Sequence, residues 1–211
     1  MNKLLSIGFL SLALIGCGGE PTEDTSIVES TKTSIEDTST AESNKTSLED
    51  SLGLGITLGI TPVQFGERVD PILSQLGINS GDWNKFNDEG EYFDSIIKDY
   101  PRDITLNATV DKNGELRSLQ YMLPTIDASG AALTLSSLAL TATNALNPEL
   151  EDEKAQDVSM GALERVTGKF VETQESQREV NVVGSNAYVA EVSKLAITFR
   201  VDPAEVSEYV E

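Results

Sequence analysis

Every tyrosine, the only tryptophan and five of the six phenylalanines lie beyond residue 51, so any core this chain builds must be built there. The 160 residues from 52 to 211 are enough for one domain with a real interior. Residues 18–51 are their opposite. They hold no aromatic side chain, 14 of their 34 positions are Ser or Thr, and nine acidic residues face only Lys32 and Lys45. Such a stretch cannot bury enough apolar surface to offset the entropy of ordering it.

Charge and composition then narrow the chemistry. The chain carries 15 Lys+Arg against 35 Asp+Glu, a net charge of −20, with no histidine and one cysteine. Without imidazole there is no Ser-His-Asp or Cys-His site and no His-ligated metal. One cysteine allows neither an intramolecular disulfide nor a Cys/His zinc site. The negative balance repels phosphate backbones, so nucleic acid is not an expected partner.

Within residues 18–51 the sequence repeats with a period of 13. Glu23-Asp24-Thr25-Ser26 returns as Glu36-Asp37-Thr38-Ser39 and begins again at Glu49-Asp50-Ser51. Glu29 to Ile35 returns as Glu42 to Leu48. The period is shorter than those of common solenoids, and Ile35 and Leu48 do not extend into heptads, which argues against a coiled-coil stalk. The expected role is a spacer. As a flexible coil its 34 residues span roughly 30–35 Å, with an extended limit of about 110–120 Å.

The segment before the spacer has the character of an address. Lys3 supplies a short positive start, and Leu4 to Gly19 is an uncharged run of 16 residues. That is short for a membrane-spanning helix and right for a signal-peptide apolar region. The run ends in Leu14-Ile15-Gly16-Cys17, which resembles the lipobox of bacterial lipoproteins. The competing reading is an ordinary signal peptide or a buried apolar helix with a chance cysteine. The resemblance implies cleavage between Gly16 and Cys17, diacylglycerol on the Cys17 thiol, and acyl chains such as palmitate on the new amino terminus. Several chains make a stable bilayer anchor where one would bind only marginally. The single lysine of the short start looks Gram-negative. Gly18 in place of Asp implies sorting to the outer membrane, with the protein facing the periplasm or the cell surface. The expected organisation is therefore a signal peptide over 1–16, a lipidated Cys17 with its tether over 17–51, and a domain over 52–211.

The domain reads as alternating helix and strand signals. Thr61-Pro62-Val63-Gln64 is a helix start with a capping box, and Gly77 is a helix stop. Pro71 inside this run predicts a kink or a restart capped by Asp70. Glu91 to Lys98, Ile104 to Val110 and Glu115 to Leu123 read as strands, the last two joined by the tight turn Asp111-Lys112-Asn113-Gly114. Asp127 is positioned to cap an uncharged helix from Ser129 to Leu146, and a second helix follows Asn147-Pro148, interrupted near Gly161 and ending about Val166. Arg178 to Val183, Ala187 to Ser193 and Leu195 to Val201 complete the pattern. Short turns between neighbouring strands imply an antiparallel sheet. The expected fold is α+β, with helices on one face of that sheet, in the order helix, three strands, two helices, three strands.

Candidate chemistry is sparse. Asp82, Asp88, Glu89, Glu91 and Asp94 cluster, but neither Gly90 nor Gly114 fits the sixth position of an EF-hand loop, so a solvated acidic loop is expected and no metal. No glycine-rich phosphate loop follows a strand, and no cofactor is expected. Trp83, Phe86, Tyr92 and Phe93 could line a ligand groove, or they could pack into the core. The composition points first to a non-enzymatic, membrane-anchored binding domain whose partner is an envelope protein or small ligand. The alternative is a histidine-free envelope hydrolase using paired carboxylates.

Overall fold

A capping box opens the first helix, α1 (Pro62–Gln75). The Thr61 hydroxyl accepts from the Gln64 amide at 3.2 Å, and the Gln64 side chain accepts from the Thr61 amide at 3.0 Å. Two donors that the helix leaves orphaned are thereby satisfied. Gly77, at a φ of 71° that disfavours any side chain, ends the helix. Its amide donates to the Ser74 carbonyl and the Ile78 amide to the Leu73 carbonyl, with Leu73 and Ile78 both buried. The helix runs through Pro71 without the restart that the sequence offered as one outcome. Asp70 is not a cap either; its carboxylate accepts from Ser80 Oγ and from Trp83 Nε1.

The computed structural model describes residues 55–125 and 130–206. Gly16, Cys17, the repeats of 18–51, and the Asp127 cap with Ser129 lie outside them.

These residues form a single domain around one seven-stranded antiparallel sheet. The strands are β1 (Asp88–Glu89), β2 (Phe93–Tyr100), β3 (Ile104–Asp111), β4 (Leu116–Pro124), β5 (Gln177–Val183), β6 (Asn186–Val192) and β7 (Ala196–Pro203). Their spatial order is β1-β2-β3-β4-β7-β6-β5. Between β4 and β5 come α2 (Ala132–Leu146) and a longer helical run. That run is α3 (Asp152–Gln156), a π-helical turn over Asp157–Gly161, and α4 (Ala162–Thr173). The expected order thus holds only approximately. A two-residue edge strand, β1, is added, and the interruption expected near Gly161 is the π turn. The helical run continues beyond Val166 to Thr173, where Gln174 takes the left-handed conformation.

Register sorts side chains by face. One row crosses β2, β3, β4, β7, β6 and β5 as Lys98, Leu106, Tyr121, Phe199, Ala190 and Glu179. The next row is Ile96, Ala108, Leu119, Val201, Tyr188 and Asn181. The middle of each row is buried and apolar, whereas β5 ends each row with a polar residue. The helices work on this face: α2 packs on β4, α4 on β5 and β6, and α1 beside α2. The opposite face carries Asp99, Thr105, Met122, Thr198, Glu191 and Arg178 in one row.

The β3–β4 turn is held by a buried carboxylate. Asp111 Oδ1 accepts from the amides of Asn113 and Glu115, each at 2.9 Å. A bulge follows, with Arg117 the extra residue between the pairs Val110–Leu116 and Thr109–Ser118. The incoming chain joins at the same end: the Leu58 amide donates to Leu116 and the Leu116 amide to Ile60. No helix among the described residues is long and apolar enough to cross a membrane.

Candidate functional site

The four aromatics singled out in the sequence do not converge. Trp83 is buried, meets the Phe65 ring edge-on at 5.1 Å, and donates its Nε1 proton to Asp70 at 3.1 Å. Phe86 is half-buried and packs against the core. Tyr92 is exposed. Phe93 lies under the Arg117 guanidinium, 4.5 Å from its ring centre. Of the acidic residues of this region, Glu89 of β1 stands opposite Asp94 of β2, which pairs with Lys112, whereas Asp82 Oδ1 accepts from the Asn84 amide.

A polar cleft of about 320 Å³ sits beside Trp83, lined by Ser80, Asp82, Lys85, Asn87, Lys98 and their neighbours. Lys98 Nζ lies 4.3 Å from the Trp83 ring centre and donates to the Asp82 carbonyl at 2.8 Å. Burial pulls its ammonium below the ordinary lysine range, against the opposing pull of Asp70 and Asp82. Ser80 and Trp83 both donate to Asp70 of α1 and Lys98 of β2 donates to the Asp82 carbonyl, so these bonds brace the loop between α1 and β2.

The larger concavity is elsewhere and is apolar. A groove of about 690 Å³ runs between the start of α2 and the length of α4, with Ile197 of β7 also lining it. Leu133, Leu135 and Ser136 form one wall; Leu163, Gly168 and Val171 form the other. The π turn adds Met160, a flexible side chain able to fit an irregular surface. Gly168 opens the groove: a Cβ there would meet nothing within 4 Å. At the mouth, Leu133 is 75% and Val171 66% exposed. Leu195, two residues before Ile197, is 82% exposed.

Small residues and satisfied hydroxyls build the helix layer beneath it. Ser159 Oγ donates to the Ala155 carbonyl at 2.6 Å and Thr143 Oγ1 to the Ala139 carbonyl at 2.9 Å. Both side chains are buried, and back-bonding within the helix leaves neither donor unpaired. Arg165 on α4 pairs with Asp157 of the π turn at 2.8 Å and with Glu179 of β5 at 2.6 Å. It holds both carboxyls below the usual carboxylate range. At the far end of α2, Asn147 donates to the Tyr188 hydroxyl, whose pKa burial pushes up to about 12.

A volume of this size matches the clefts that take small ligands or partner side chains. Its lining is mostly apolar, with the hydroxyls of Ser136 and Thr167 and the carboxylates of Glu164 and Glu172 among it. The sequence carried a faint signal for it. Leu133 and Val171 are apolar residues that fall off the core-facing stripes of their own helices. The pairing of α2 with α4, which makes a groove of them, is a tertiary fact. Comparison with protein-family models, curated proteins and solved structures finds no match for this chain.

Proposed function

We propose that this protein is a lipid-anchored lipoprotein of the bacterial envelope whose domain binds a partner, without catalysis, through the α2–α4 groove. The observation that carries the binding half is the apolar groove with Leu133 and Val171 exposed at its mouth. A concave, mostly apolar lining with a few polar groups at its rim is the usual form of a binding cleft. The Leu14-Ile15-Gly16-Cys17 motif supports the anchoring half. In this reading Cys17 holds the chain at the outer membrane, residues 18–51 set its reach, and the groove meets the partner. The helices on one sheet face form the working layer.

Site-specific photocrosslinking in cells tests the reading. A photoreactive residue replacing Leu133 should give a discrete adduct, whereas one replacing Asn107 on the other sheet face should not. Adding Gly168→Trp, which fills the groove, should abolish the Leu133 adduct. Equal adducts from both positions, or an adduct indifferent to Gly168→Trp, would remove the groove from the function.

A further inference from the structure

Resting on that reading of the groove, we infer that its partner is a basic amphipathic helix. The lining of the groove contains two charged residues, Glu164 and Glu172, and no lysine or arginine. Both carboxylates lie on α4, eight residues apart, which is about 12 Å along a helix axis. Between them the wall is Thr167, Gly168 and Val171. An apolar strip bracketed by two carboxylates at a two-turn spacing matches a helix of a particular kind. It carries apolar anchors at i, i+3 or i+4, and i+7, with lysine or arginine repeated every seven or eight residues.

Charge also decides against the nearer candidates. The tether, residues 18–51, carries nine acids against two lysines, and the chain's end holds Glu208 and Glu211. A second copy brings another −20 and the same two carboxylates. Residues 1–16 leave with the signal peptide in the proposed processing. An anionic lipid headgroup would face the same repulsion. Each of these sets like charge against like, which disfavours association directly. A cationic partner is instead drawn in by the field of the whole molecule and fixed by the apolar anchors.

The test uses the mature chain, residues 17–211 with Cys17→Ser, and fluorescence anisotropy of three labelled peptides. The first is helical with Leu at i, i+3, i+4 and i+7 and Lys on its remaining face. The second is the same composition scrambled, and the third has Glu for Lys. The first should bind about tenfold or more tighter than the scrambled peptide, and the Glu peptide should not bind. Gly168→Trp and, separately, Leu133→Asp at an already exposed position should each weaken it by about tenfold. The double variant Glu164→Gln/Glu172→Gln should bind more weakly and with a flatter salt dependence. Equal binding of the scrambled peptide would reduce the effect to diffuse attraction and overturn the inference. So would capture by phosphatidylethanolamine–phosphatidylglycerol vesicles that Leu133→Asp abolishes while the basic peptide stays unbound. If the Leu133 crosslink in cells persists while the peptide fails, the groove remains the binding surface and only the basic helix is wrong.

Discussion

Gly66 on α1 and Gly168 on α4 both lie inside helices, where replacement by alanine ordinarily stabilises by about 0.5–1 kcal/mol. Their surroundings give them opposite signs. A Cβ at Gly66 would stand 2.2 Å from Cδ1 of Trp83, whose ring is held from behind by Phe65 and by its bond to Asp70. The indole cannot retreat without losing both, so Gly66→Ala should destabilise by about 1–3 kcal/mol. Gly168→Ala meets open space and should stabilise by about 0.5–1 kcal/mol. Chemical denaturation of the two variants checks the pair; two changes of the same sign would mean that Trp83 does not seal against α1. The same contact explains why the aromatic cluster was ambiguous in the sequence. Trp83, Phe86, Tyr92 and Phe93 are neighbours along the chain, but nothing local says that Gly66 leaves a slot for one of them. Nor does it say that Arg117, the extra residue of the β3–β4 bulge, covers another.

Elements whose ends are written locally were the legible ones. The Thr61–Gln64 capping box, the Gly77 stop and the Asp111–Gly114 turn each rest on side chains within four residues of one another. The π turn was visible only as an interruption near Gly161, because an inserted residue changes helical phase without any special side chain. The extension of α4 to Thr173 depends on packing against β5 and β6, not on helix propensity. Part of that packing is electrostatic, through Arg165 to Asp157 and Glu179. Both carboxyls have folded pKa values depressed by Arg165, so their contribution is present above the unfolded range of about 4 and is lost as pH falls through the folded values. Arg165→Gln should therefore melt below the native chain near neutral pH, with the gap closing as pH falls below about 4. Melts across pH 7 to 2 measure it, and a gap constant with pH would assign Arg165 to packing alone.

At the scale of the molecule the sheet has two poles. The described chain enters beside Leu116, at the end of the Asp111–Glu115 turn. The groove lies where α2 begins and β7 starts, beside Leu195, whose carbonyl accepts from the Thr125 amide. From Leu116 to Pro124, β4 alone spans roughly 25 Å between those poles. The first described residues thus lie at one pole of the sheet and the groove at the other. The proposed anchor and the groove were not equally legible. The lipobox resemblance rests on a linear motif of four residues, whereas the groove exists only after α2 and α4 have packed. The proposal as a whole depends on the anchor, and one experiment addresses it directly. Cells supplied with a clickable palmitate analogue should label the native protein and leave it in the membrane fraction. The Cys17→Ser protein should carry no label and keep its signal segment. Label retained on the Cys17→Ser protein would contradict the account, because the chain has no other cysteine to take the diacylglycerol.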